Sequence, residues 1–334
     1  MPIQSITARF TTGKRVRVTA ISAMFIVLAP IAAAGATGYP DRPVRFIVPF
    51  PPGGSDTVAR MIGQKLGDKL GQQFVIDNRA GAAGTIGATI AAKAPADGYT
   101  IMFATASFAI SAGLYKNLAY DSARDFAPVA LVSSGPMLVV AHPALPVNTV
   151  GELIALARAR PDALNFASTG AGGITHLAAA LFTSMTGARM THIPYKGSGP
   201  AQTDLLAGQV QLMFDVIGAA LPHVRAGKVK ALAVTSAQRS ALVPDLPTVA
   251  ESGVPGYAAA TWYGVLAPRG TPAKHVALLN AQIVATLSTS EFRDRLAILG
   301  FEPVVTTPRE FDDFLRADIA RWARTIKDAG ITLN

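Results

Sequence analysis

A chain of 334 residues, half of them apolar, has the material for one large or two medium domains. It contains no cysteine, which excludes disulfide staples, a thiol nucleophile and a lipid anchor on an N-terminal cysteine. The formal charge of +9 is scattered, without a basic run or an aromatic–basic ladder, so nucleic-acid binding has no support.

Lys14, Arg15 and Arg17 precede an apolar stretch from Val18 to about Ala34, followed by Ala34-Gly35-Ala36. A basic start, a short apolar core and an Ala-x-Ala site describe a cleaved secretory signal peptide over residues 1–36. The alternative is an uncleaved anchor, but a stretch of about 17 residues is at the short limit for a bilayer span, and Thr19, Ser22 and Pro30 interrupt it. Cleavage is expected after Ala36, with the mature protein in the periplasm. Its charge falls to +5 once Arg9, Lys14, Arg15 and Arg17 leave with the leader. A mildly positive surface suits anionic ligands.

Strand-like runs follow at Val44–Phe50, Phe74–Asp77, Thr100–Ala104, Val129–Val132 and Met137–Ala141. Later ones lie at Leu164–Ala167, Thr191–Pro194, Val210–Asp215, Lys230–Val234, Thr261–Ala267 and Pro303–Thr306. Helical patterns between most of them indicate an α/β architecture. The first helix carries Val58, Ile62, Leu66 and Leu70 on one face, with Ser55 as its expected N-cap. Thr149-Val150-Gly151-Glu152 and Thr307-Pro308-Arg309-Glu310 both read as capping boxes. The second opens a long helix through Phe311, Phe314, Leu315, Ile319, Trp322 and Ile326, ended by Gly330.

Two stretches break the alternation. From Phe126 to His142 the chain reads as two strands around Ser133-Ser134-Gly135-Pro136, with no room for a crossover helix. Pro255 to Trp262 is a second helix-free passage. Two such crossings imply a discontinuous domain of about 39–132 plus 255–334 and an inserted domain of about 133–254.

Three strand-to-helix turns are rich in glycine: Pro51-Pro52-Gly53-Gly54-Ser55-Asp56, Ser168 to Gly173 with Gly170, Gly172 and Gly173, and Gly197-Ser198-Gly199-Pro200. Such turns expose N–H groups and the positive end of a helix dipole to an anion. No Lys-Ser/Thr follows the glycines, so the P-loop signature is absent. One helix end is worth about 0.3–2 kcal/mol to an anion, and a charge-assisted hydrogen bond about 1.5–3 kcal/mol. Micromolar affinity needs about 8 kcal/mol, so two turns closing on one carboxylate suffice where one does not. His176 and His192 lie near these turns, where a structural role is commoner than a catalytic one. Asp215 ends an apolar strand, placed either to receive a ligand N–H or to cap the next helix. No nucleophile elbow, zinc-protease motif or other catalytic constellation is present, so no catalytic residue, cofactor or metal ligand is expected.

Taken together, "YPDRPVRFIVPFPPGGSDTVAR", "NRAGAAGTIGA", "APADGYT", "DFAPVALV", "IPYKGSGPAQTDLLAGQVQLMFD", "LAVTSAQRS", "PDLPTVAESGVPGY" and "YGVLAPRGTP" resemble the substrate-binding receptors of tripartite tricarboxylate transporters, the Bug (Bordetella uptake gene) family. The resemblance implies an α/β clamshell of the type II periplasmic binding protein kind, with a small carboxylated ligand held in the cleft between two domains. It also implies a monomer that hands the ligand to a membrane transporter; a periplasmic sensor presenting its closed form to a signalling receptor is the alternative. The ligand-binding set expected on the turns and strand ends is Pro52, Gly53, Gly54, Ser55, Asp56, Thr105, Ser107, Ser168, Thr169, Gly172, Gly173, His176, Tyr195, Lys196 and Asp215. The chain departs from the family at two places. Gly173 stands where a hydroxyl residue is frequent, and His176-Leu177-Ala178-Ala179-Ala180 stands where "HLAGE" is common.

Overall fold

The computed structural model describes residues 38–332; the expected leader and its cleavage site lie outside them. In chain order the elements are β1 (Val44–Val48), α1 (Gly54–Leu70), β2 (Phe74–Asn78), α2 (Thr85–Ala92), β3 (Thr100–Thr105), α3 (Ala106–Leu114) and β4 (Phe126–Ala141). Then come α4 (Val150–Ala159), β5 (Asn165–Ser168), α5 (Ile174–Thr186), β6 (Thr191–Pro194), α6 (Ser198–Leu206), β7 (Leu212–Val216), α7 (Ile217–Arg225) and β8 (Lys230–Val234). The chain closes with β9 (Ala260–Pro268), α8 (Ala273–Leu287), α9 (Ser290–Ile298), β10 (Glu302–Pro303) and α10 (Pro308–Asp328).

Hydrogen bonding orders the strands β2-β1-β3-β9-β4-β7-β5-β6, with β8 and β10 also on β4. The outer strands are parallel, as strand–helix–strand units require, with β1 beside β2 and β3, and β5 beside β6 and β7. The middle is antiparallel. β9 runs against β3, and against β4 from Phe126 opposite Pro268 to Pro136 opposite Ala260. From Met137 to Ala141, β4 leaves β9 and runs against β7, with β8 on its other edge. The expected pair of strands around Ser133–Pro136 is therefore one strand of 16 residues. The turn signal in Ser-Ser-Gly-Pro is overridden because Ser133 to Pro136 are paired residue by residue with Tyr263 to Ala260.

Side-chain alternation of period two sorts these strands between cores. Val44, Phe46 and Val48 pack in a cluster with Val58, Ile62 and Leu66 of α1, while Ile47 faces another. Along β4, Met137, Val139 and Ala141 join that other cluster and Leu138 and Val140 a third. Helix α10 packs against α3, β4 and α5, burying Phe311, Leu315, Trp322 and Ile326, whereas Phe314 stays 36% exposed. Its capping box is complete: the Thr307 side chain accepts from the Glu310 N–H, and Glu310 accepts from the Thr307 N–H. At α4 the box is half formed, because Glu152 accepts from the Asn148 N–H instead of the Thr149 N–H.

Candidate functional site

Five helices begin where a strand of the sheet ends, and residues from the first turn or the N-cap of each line one cavity of about 360 Å3. They are Ser55 of α1, Thr105 and Ser107 of α3, Ile174 and Thr175 of α5, Ser198 of α6, and Val216 and Ala219 of α7. Strand β9 adds Thr261 and Tyr263 from the middle of the sheet. This is the end of an α/β sheet where ligands are held. A larger groove of about 660 Å3 runs along α1 and β2 past Gly63, Gly67 and Gln73, and these loops do not reach it.

Four of these five helices begin without a side-chain cap. No side chain caps α1, α5, α6 or α7, whose N-cap positions are Gly53, Gly173, Gly197 and Val216. Threonine side chains cap α4, α9 and α10, which start away from the cavity, and α3, which starts at it, where Thr105 accepts from the Ser107 N–H; α2 and α8 also begin uncapped. In α1 the first helical bond runs from the Thr57 N–H to the Gly53 carbonyl (2.8 Å), and in α5 from the Leu177 N–H to the Gly173 carbonyl (3.0 Å). The N–H groups ahead of these bonds have no acceptor within their own helix. The expected N-cap Ser55 is thus corrected to Gly53, which takes the extended cap conformation and leaves Ser55 in the first turn beside the cavity.

Among the residues lining the cavity none is a lysine, arginine or histidine, and Asp215 is the one acid. Hydroxyls of Ser55, Thr105, Ser107, Thr169, Thr175, Ser198 and Thr261 supply the polar surface; Phe50, Ile174, Leu299 and Phe301 the apolar one. The Phe301 ring stacks on Tyr263 with centroids 4.4 Å apart. Burial pushes the Tyr263 phenol well above its ordinary value, so it is a neutral hydroxyl. Leu299 and Phe301 reach the cavity through a close backbone approach: a Cβ on Gly218 would collide with the Leu299 carbonyl, and one on Gly300 with the Gly218 N–H. Gly300 also sits at φ +80°, which favours glycine.

Of the residues expected from sequence, Ser55, Thr105, Ser107, Thr169 and Asp215 line the cavity. Pro52 and Gly53 are exposed on the turn leading into it, and Gly54 is the first residue of α1. Asp56 is turned away: its carboxylate accepts from Arg60 Nε (2.8 Å) and Asn78 Nδ2 (2.9 Å). Burial works to raise that carboxyl, but Arg60 and Asn78 outweigh it and hold it below the usual range. Tyr195 donates its hydroxyl to Asp204 (2.6 Å), and Lys196 is exposed.

Ser168, Gly172, Gly173 and His176 fasten the inner turn from behind. The Ser168 hydroxyl lies 2.7 Å from His192 Nε2 and 3.1 Å from the Gly170 carbonyl, and accepts from the Gly170 N–H (3.2 Å). The Gly172 N–H donates to His176 Nδ1 (3.1 Å), the Gly173 N–H to the Gly170 carbonyl (3.2 Å), and the Thr169 N–H to the Thr175 hydroxyl (2.9 Å). The glycine amides that the sequence offered to a ligand are therefore spent inside the turn, and the donors facing outward are those that open α5. The rings of His176 and His192 stack 3.8 Å apart at 6°. Burial, and for His176 also the neighbouring His192, pushes both down to about 4, so both are neutral near pH 7. A serine beside a histidine is a nucleophile's geometry, but Ser168 is fully buried and the pair ties the turn together.

Sequence reasoning missed Phe50, Ile174, Thr175, Ser198, Val216, Ala219, Thr261, Tyr263, Leu299 and Phe301. Thr175 follows the second glycine turn and Ser198 sits inside the third, so the turn pattern could have found them. Leu299 and Phe301 carry no local signal.

A family model, the TctC or tripartite tricarboxylate transporter family receptor, matches residues 58–331. Protein BugT of Bordetella pertussis is 41% identical over 95% of this chain and 98% of its own. Two solved structures are similar over nearly their whole length. R. palustris Rpa4515 with adipate has a TM-score of 0.79 at 42% identity, covering 88% of this chain and 99% of its own. The periplasmic binding protein BugD has a TM-score of 0.75 at 37% identity, covering 88% and 99%. The chain belongs to the tripartite tricarboxylate transporter receptor family, and its fold is the α/β fold of the periplasmic solute-binding proteins in it.

Proposed function

We propose that this receptor is exported to the periplasm, captures a small carboxylate in the cavity described above, and delivers it to a tripartite membrane transporter without catalysing a reaction. The observation that carries the reading is the convergence of five helix N-termini, four without a side-chain cap, on a cavity lined by no basic residue. Unpaired first-turn N–H groups and aligned helix dipoles favour an anion there. Two or three such ends, each with one charge-assisted hydrogen bond, reach the roughly 8 kcal/mol of micromolar binding. The adipate of Rpa4515 supports the carboxylate class. Among the described residues no helix is long and apolar enough to cross a membrane, which fits a receptor that works beside a transporter.

The cavity is lined from both sets of pairings, those of β1–β3 with β9 and those of β5–β8 with the second half of β4. That lining supports the two-lobed reading, with about 39–132 and 255–334 in one lobe and about 133–254 in the other; the receptor proposed here acts as a monomer. Native mass spectrometry of the purified protein tests the function directly. A retained small acid is the expected result, and a protein that neither retains one nor binds adipate, succinate or hexanoate in calorimetry would overturn it.

A further inference from the structure

Asp215 ends β7 and borders the cavity while only 1% exposed. Its Oδ1 accepts from the Val216 N–H (2.9 Å) and its Oδ2 from Gln202 Nε2 of α6 (2.7 Å). Across the strand pair its partner is Leu138 of β4, and Ser198 of α6 stands beside it at the cavity wall. The groups that line the cavity from α5 and β9 are Thr175, Thr261 and Tyr263. None of these neighbours carries a charge. The bond to Val216 stops at the N-cap residue and satisfies no N–H inside α7, so capping of the next helix does not account for a carboxylate buried without a cation.

We infer that the receptor takes up its anionic ligand together with one proton, which passes from solvent to the carboxylate of Asp215. The inference rests on the carboxylate reading above. Two negative charges in one cavity, with no basic residue lining it, cannot both persist, and the usual resolution is that one group holds a proton. The ligand's carboxylate has the helix N-termini to stabilise it, so the proton goes to Asp215. Burial already pushes this carboxyl up to about 6, against the opposing pull of Gln202, the Val216 N–H and Ser198. In the free protein at neutral pH it is mostly ionised. A like charge arriving nearby drives it upward again.

The test is calorimetric titration of the purified receptor with adipate, succinate and hexanoate at pH 7.5, in phosphate and in Tris, whose heats of ionisation differ. The expected result is a buffer-dependent heat equal to about 0.5–1 proton taken up per ligand, with affinity falling toward tenfold per pH unit between about pH 7 and 8.5. In Asp215→Asn the uptake disappears and the pH dependence flattens, with a melting curve to check folding; the wild-type buffer comparison stands without the variant. Binding with identical heats in both buffers would overturn the inference and leave the carboxylate reading intact. Tighter binding of 6-aminohexanoate than of hexanoate, without proton uptake, would also overturn it, making Asp215 a partner for a ligand cation. No binding of any of the three acids would remove the carboxylate reading itself, and the inference with it.

Discussion

Single ionisable residues set opposite pH dependences in this protein. Asp215 has its carboxyl raised from 3.8 to about 6 by burial, so its contribution to stability is full below about pH 4 and is lost as pH rises through about 6. Replacing it with asparagine should therefore stabilise the free protein above pH 6, by on the order of 2–3 kcal/mol, and do little at pH 4. Melting curves of the two proteins at both pH values check this, and an equal difference at both would refute it. The histidine pair runs the other way. His176 and His192 are held neutral by burial, down to about 4, so their contribution is complete above about 6.5 and is lost as pH falls through 4. Protonating His176 also replaces the acceptor of the Gly172 N–H with a second donor. His176→Gln, which keeps an acceptor without titrating, should shrink the acid loss of stability by about 2–3 kcal/mol. An unchanged acid midpoint in a pH titration would show that the pair is not the sensitive point.

Helix starts supply much of the cavity wall. Gly54 is the first residue of α1, a position where proline costs the helix nothing because the N–H has no helical partner. Gly54→Pro should leave the melting temperature within a degree or two, yet weaken carboxylate binding roughly ten- to a hundredfold if that N–H is a donor. Equal affinity for adipate in the variant and the wild type would move the anion away from α1. Ser55→Ala should be nearly neutral for stability, since Ser55 makes no cap. Gly218→Ala is the severe case. Its methyl group meets the Leu299 carbonyl, so α7 and the Leu299–Phe301 segment must separate, with an expected loss above about 3 kcal/mol and weaker binding. A fully stable variant would mean the two segments yield easily. What was legible here was whatever a few adjacent residues decide: the Thr307 capping box, the buried stripe of α1, the three glycine turns. What was not legible depended on distant partners. Ser-Ser-Gly-Pro looks like a turn until β9 pairs across it, and Phe301 joins the site only because glycines at 218 and 300 let two backbones touch.

For the whole molecule, the resemblance carried in motifs such as "IPYKGSGPAQTDLLAGQVQLMFD" was sufficient to anticipate the fold and the family, because those motifs mark the strand ends that build the cavity. The same motifs did not reveal which glycine amides are spent internally, since that depends on Ser168, His176 and His192 meeting in space. N-terminal sequencing of the protein recovered from the periplasm should begin near Thr37; recovery of Met1 from a membrane fraction would overturn the export expectation.

The long antiparallel pairing of β4 with β9 has a consequence for the order of events during synthesis. β3 has β9 as its neighbour on the side away from β1, and the first half of β4 pairs with β9 over Phe126 to Pro136. Neither edge can be closed until β9 has been made, which begins 216 residues after the start of β1 (260 − 44). Contacts this far apart in sequence form late, after the entropy of a long loop has been spent. A chain stopped before Ala260 should therefore show little hydrogen-exchange protection in β1–β3, and one extended past Pro268 should gain it abruptly; early protection in the shorter chain would contradict this. Until β9 emerges, the edges of β3 and the first half of β4 lack their partner, and a chain whose sheet is still open is one that can more readily be drawn across a membrane.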